Sequence, residues 1–150
     1  GNALIKVRDA HRFSQLPTIA DDTGLEVEAL DGAPGVYSAR FAGEHATFED
    51  NVALLLERLK GVPAPRRACF RTVIALIDEY GTHFFEGAVN GEITLERSGY
   101  HGFGYDPVFR PEGCQQTFAE LSSEEKNAMS HRGRAVQRLA RYLHALPLDE

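Results

Sequence analysis

The chain has 150 residues, 43% of them hydrophobic and 25% charged, and a net charge of −6. That length is most simply one domain spanning 1–150 with its own core, and the composition argues against disorder. No basic stripe marks a nucleic-acid surface, and the longest strongly apolar run, Val73 to Ile77, is far too short to cross a membrane.

The first residues, Gly1-Asn2-Ala3-Leu4, show no charged region leading into an apolar one, so no signal peptide is expected and the cytoplasm is the default compartment. Asn2 to Phe13 reads as a helix with Ala3, Leu4, Val7 and Ala10 on one stripe, stopped by Pro17. Thr18-Ile19-Ala20 reads as a short strand ending at Asp21-Asp22-Thr23-Gly24. Leu25 to Leu30 then alternates apolar and acidic residues as a second, half-buried strand would. Gly32-Ala33-Pro34-Gly35 is turn material. Thr47 with Asp50 resembles a capping box ahead of a helix carrying Phe48, Val52, Leu55, Leu56 and Leu59, which Gly61 and Pro63 close.

Ala68 to Asp78 and Thr82 to Val89 read as strands joined by Glu79-Tyr80-Gly81. Asn90-Gly91 reads either as a hairpin turn before Glu92 to Glu96 or as a kink in one long strand. A glycine-rich loop, Gly99 to Pro107, precedes a brief strand from Val108 to Arg110. Two helices follow, the first from Ser122 or Ser123 and the second with Val136, Leu139, Ala140 and Leu143 on one stripe. Helices mixed with strands predict an α/β or α+β fold. Cys69 in a strand-like run and Cys114 in a loop fit no metal or redox spacing and read as free thiols.

Three segments carry groups suited to chemistry. Adjacent carboxylates at Asp21-Asp22 repel, and a divalent cation or a proton relieves them. Taken alone, the pair reads more simply as an Asx-turn or a cap at a strand end. In Gly102-Phe103-Gly104-Tyr105-Asp106-Pro107, glycines flanking an aromatic allow a planar ligand close to the backbone. The plain alternative is a tight turn whose aromatics cap the core. Ser130-His131-Arg132-Gly133, with Lys126 a turn upstream, offers donors to an anion near a helix start, or simply forms a solvated basic turn. No P-loop, zinc-helix or nucleophile-elbow pattern is present, so covalent catalysis has no candidate.

The order and wording of these segments, from Pro17 to Leu25, from Gly32-Ala33-Pro34-Gly35-Val36-Tyr37-Ser38-Ala39-Arg40 through Gly102 to Pro107, then Glu125-Lys126 and Ser130 to Gly133, closely resemble the inosine/xanthosine triphosphate pyrophosphatases. The resemblance implies an α/β fold with an elongated mixed β-sheet, two lobes and a central substrate cleft flanked by helices, as a homodimer. It implies magnesium-dependent attack of water at the α-phosphate of a purine nucleoside triphosphate, giving a monophosphate and pyrophosphate and cleansing the nucleotide pool. Asp22 becomes the metal-linked general base, Thr23 a substrate contact, and Lys6, in the matching Asn-Ala-x-x-Lys segment, a phosphate contact. Phe103, Gly104, Tyr105, Asp106, Lys126, His131 and Arg132 surround the base and sugar. The partner is then a small nucleotide, not a nucleic acid or a membrane.

Members of that family open with a strand, a phosphate-binding loop and a helix, roughly 30 or more residues by analogy with a βαβ unit. The match here starts at Asn2, so a truncated domain with impaired phosphate binding is expected. Two other readings compete: a metal-dependent hydrolase of other nucleotides, and a nucleotide-binding fragment without turnover.

Overall fold

The computed structural model describes residues 2–14 and 17–146. Helix α1 (Asn2–Ser14) leads into strand β1 (Thr18–Val27), followed by the two-residue strand β2 (Pro34–Gly35) and helix α2 (Phe48–Arg58). Strands β3 (Arg67–Asp78), β4 (Gly81–Ile93) and β5 (Phe109–Pro111) come next, then helices α3 (Ser123–Met129) and α4 (His131–Ala145). The strands form one sheet in the order β2-β1-β3-β4-β5, and every pairing among the described residues is antiparallel. Helices and strands together give the expected α/β class.

Alternation along the strands sorts side chains to two faces. On one face α1 packs Ala3 and Val7 on Ala75, with Val73 and Ile77 beside them. On the other, α4 lays Ala135 and Leu139 on Ile74 and Leu76. The largest core lies on that second face, where Leu25, Phe70 and Val89 meet Leu55 and Leu59 of α2 and the rings of Phe109 and Phe118. Fully burying a side chain such as Leu55 or Phe109 contributes about 1.5–3 kcal/mol.

The predicted break between two strands at Asp21 to Gly24 is absent: β1 runs unbroken from Thr18 to Val27, and Glu28–Leu30 is a single 3₁₀ turn. The polar residues sit mid-strand because partners outside the strand satisfy them, and Gly24 admits β2, whose Gly35 carbonyl a Cβ at Gly24 would crowd. Asn90-Gly91 is likewise within β4 and makes no turn; a Cβ at Gly91 would overlap the Arg110 carbonyl, so the glycine lets β5 pair there. Both halves of the predicted Thr47–Asp50 capping box are formed, and Ser122 with Glu125 makes a second box at α3. The inward stripe of α4 is Ala135, Leu139 and Tyr142; Val136 and Leu143, expected inside, are half exposed.

Candidate active site

Because Asp21 and Asp22 are consecutive within a strand, they project from opposite faces of the sheet. Asp21 faces α4, where its Oδ2 accepts from Arg132 Nη1 at 2.5 Å. Thr23, two residues on and on the same side, accepts from Arg132 Nη2 at 3.3 Å and shares a hydrogen bond of 2.8 Å with the Thr72 hydroxyl. Asp22 faces α1, with Lys6 Nζ 3.8 Å from its Oδ1. Lys6 also donates to the Asp21 carbonyl at 3.0 Å, so one lysine spans the backbone of the pair and the second carboxylate. Asp22 lines a cavity of about 640 Å³ with Leu4, Gly24, Val36, Val73 and Phe84, a size suited to a small-molecule ligand.

A cavity of about 760 Å³ opens elsewhere, between Cys69, Asn90, Arg110 and Cys114. None of the candidate residues lines it, so the roomier opening is not where the chemistry-bearing groups converge.

The glycine-rich loop is folded around Asp106. Its Oδ2 accepts from the Phe103 amide at 3.0 Å and from Lys126 Nζ at 2.5 Å, and both side chains of the ion pair are largely buried. Gly102, at φ +79°, is obligatory twice over: its backbone is left-handed, and a Cβ would strike the Asp106 carboxylate. Tyr105 turns inward, where its hydroxyl donates to the Ser38 carbonyl at 2.6 Å, and burial pushes its pKa up. Ser38 in turn accepts from the Leu25 amide and donates to the Gly35 carbonyl. Phe103 alone of these side chains stands out, 57% exposed, with Lys126 Nζ 4.4 Å from its ring centre and Phe48 at 6.3 Å. Gly104, at φ +60°, has open space where a side chain would be.

His131 opens α4. Its ring lies against Phe70 at 4.7 Å, nearly parallel, and Phe118 at 6.3 Å. It is 93% buried by its 7% exposure, and its Nδ1 has no hydrogen-bond partner among the described residues. Burial, reinforced by the Arg132 and Lys126 cations, pushes the imidazole down to about 4, so it is neutral at pH 7.

The model of the Ham1 family matches residues 1–142. The chain belongs to the Ham1 family. It is 59% identical over 143 residues to a dITP/XTP pyrophosphatase from Porphyromonas gingivalis, covering 95% of this chain and 74% of that protein. A dITP/XTP pyrophosphatase from Caldanaerobacter subterraneus is 51% identical over 144 residues, at 95% and 72% coverage. The solved structure of a HAM1 protein from Coxiella burnetii superposes with a TM-score of 0.92 at 44% identity, covering 97% of this chain and 76% of that one.

Within this Ham1 chain the expected site residues form two groups. Lys6, Asp22, Thr23 and Arg132 gather around the middle of β1, where Asp21 joins them through its ion pair with Arg132. Phe103, Asp106, Lys126 and His131 gather under the glycine-rich loop. Arg132 and His131, adjacent at the start of α4, join the groups. Tyr105 and Asp106 were expected against the ligand and instead face inward, where they fix the loop that presents Phe103. Sequence reasoning missed Thr72, Ser38 and Phe118. The role of each depends on a partner from a distant element: the Gly32 to Arg40 motif contains Ser38 but gives no sign of its contact with Tyr105, and no local pattern flags Thr72 or Phe118.

Proposed function

We propose that this Ham1-family chain hydrolyses non-standard purine nucleoside triphosphates, namely ITP, dITP and XTP, to the monophosphate and pyrophosphate. The observation that carries the reading is the layout of β1. It pairs with β2 only through Leu25 and Glu26, so among the described residues its edge from Thr18 to Gly24 has no strand partner on that side. A nucleotide laid across this edge has a carboxylate and a lysine, Asp22 and Lys6, on one face. It has the neutral His131, Arg132 and the exposed Phe103 on the other. Relatives at 59% and 51% identity carry the name dITP/XTP pyrophosphatase, which supports two of these substrates.

Asp22 is the base that accepts a proton from the water attacking the α-phosphate, a task suited to a carboxylate at hydrogen-bond range. Lys6 offsets charge on the phosphate oxygens, and Thr23 and Arg132 hold the substrate against β1. Phe103 gives the purine a face to stack on. The 6-oxo group of hypoxanthine or xanthine accepts hydrogen bonds from Arg132 and, in the Nδ1–H tautomer, from His131. The 6-amino group of adenine presents a donor to donors and is disfavoured.

The residues fit magnesium, since this ion commonly takes one or two carboxylates and completes its shell with phosphate oxygens and water. Asp21 is engaged by Arg132, so of the adjacent pair Asp22 is the carboxylate that would hold the ion, as the family resemblance implies. Bound there, magnesium supplies charge neutralisation at the phosphates and a more acidic water. A homodimer, which rests on the family resemblance, and a cytoplasmic location, the default compartment, complete the reading.

The test is steady-state hydrolysis of ITP, dITP, XTP, ATP and GTP with magnesium, with separate detection of pyrophosphate and orthophosphate. Pyrophosphate release favouring the 6-oxo non-standard bases is expected. Orthophosphate as the product, or ATP as the best substrate, would overturn the reading.

A further inference from the structure

A row of three residues crosses the sheet face that α4 covers: Thr23 on β1, Thr72 directly opposite on β3, and Gly87 opposite that on β4. Its neighbours on the same face of β3, Phe70 and Ile74, are buried core residues. Thr72 is itself fully buried, in a position where valine would fill the same space. A buried hydroxyl is costly unless bonded. The partner of this one is Thr23 Oγ1 at 2.8 Å. A guanidinium can only donate, so Thr23 Oγ1 accepts from Arg132, and its bond to Thr72 is the contact that holds it from behind.

Gly87 completes the row by having no side chain. A Cβ there would overlap the His131 carbonyl oxygen and the Ala135 amide nitrogen and crowd Arg134 Cβ. Two hydrogen bonds hold α4 to β4 on either side of this bare spot: Arg134 Nη1 to the Ala88 carbonyl at 2.6 Å and Arg138 Nη1 to the Glu86 carbonyl at 2.8 Å. The first turn of α4 therefore rests on the backbone of β4, close enough for Arg132 to reach Asp21 and Thr23 two strands away.

We propose that Thr72 and Gly87 are positioning residues: together they seat the first turn of α4 so that Arg132 and His131 meet the substrate base in one fixed placement. The proposal rests on the functional reading above. Neither residue touches substrate, and both act through α4. Arg132 is a long side chain with a half-exposed head, so without Thr23 held in place it loses one of its two anchors and samples other rotamers. Discrimination between an acceptor and a donor at the 6-position depends on that geometry, whereas phosphate attraction tolerates its loss.

The test uses the full chain with Thr72→Val, Thr72→Ser, Gly87→Ala, Arg132→Ala and the Thr72→Val/Arg132→Ala pair. The readouts are the ITP-to-ATP ratio of kcat/KM and amide hydrogen exchange in the first turn of α4. Thr72→Val should narrow the ratio by about three- to tenfold, the scale of one net hydrogen bond. Thr72→Ser should restore it, and adding Thr72→Val to Arg132→Ala should change it no further, because both act on one interaction. Gly87→Ala should speed exchange in the first turn of α4 while the amides of α2 keep their protection. If Gly87→Ala does not fold, the Thr72 pair decides alone. A Thr72→Val enzyme that keeps its ratio, or whose loss adds in full to that of Arg132→Ala, overturns the role of Thr72. Unchanged exchange in a folded Gly87→Ala protein overturns that of Gly87. If the parent protein hydrolyses no ITP, the functional reading fails, and the exchange data still decide whether the seat exists.

Discussion

Asp21 and Asp22 are the same residue type, one position apart, and the strand gives them different work. Asp21 is neutralised by Arg132 at 2.5 Å and is thereby part of the α4 side of the site. Asp22 has Lys6 at 3.8 Å, too long for a tight pair, and opens on the cavity beside α1. Asp22→Asn keeps the shape but removes the charge that accepts a proton. Turnover of ITP should fall by at least the ~100-fold typical of a lost general base, with the melting temperature little changed. Asp21→Asn should leave most of kcat and act mainly on KM, through Arg132. Near-parent turnover of Asp22→Asn at saturating magnesium would end its role as the base. Arg132→Ala should lower kcat/KM for ITP far more than for ATP; equal losses for both would make Arg132 a phosphate or structural residue instead.

At the scale of elements, capping signals and the apolar spacing of α2 were legible because they are local: Thr47 and Asp50 satisfy each other's backbone within one turn. The unbroken β1 was not legible, since Asp21-Asp22-Thr23-Gly24 has the composition of a loop. Its strand conformation rests on Lys6 from α1, Arg132 from α4, Thr72 from β3 and the close approach of Gly35. The inward turn of Tyr105 was hidden for the same reason. Its hydroxyl ties the glycine-rich loop to the Ser38 segment 67 positions away in sequence. Tyr105→Phe leaves the buried Ser38 carbonyl without that donor and should cost about 1–3 kcal/mol. The expected result is a lower midpoint in urea and a raised KM for ITP with kcat kept. An unchanged midpoint together with a lost kcat would place the Tyr105 hydroxyl in the chemistry rather than in the scaffold.

Across the whole molecule, the site is embedded in the core: His131 stacks on Phe70 and sits near Phe118, two phenylalanines of the largest core, so its ionisation bears on global stability. The unfolded imidazole titrates near its ordinary value of ~6.5, and burial with two nearby cations pushes the folded one down to about 4. Between those values the unfolded chain binds a proton that the folded chain refuses. Stability is therefore fully present above the unfolded pKa and is lost as pH falls toward 4, at about 1.4 kcal/mol per unit and up to about 3 kcal/mol in all. Asp78 acts in a separate window. Burial opposes its ionisation, but hydrogen bonds from Tyr142, the Tyr80 amide and His83 outweigh that and hold its carboxyl low, so its contribution is lost only as pH falls below ~3.9. Urea unfolding at pH 7 and pH 4.5 in the parent and in His131→Phe separates the two groups. Phenylalanine keeps a flat ring against Phe70 and beside Phe118 and has nothing to protonate. The parent should lose stability between the two pH values by most of that ~3 kcal/mol beyond what the variant loses, because every other titrating group is common to both. Equal losses in the two proteins would mean that His131 takes its proton without unfolding, through an opening of the first turn of α4 on β4.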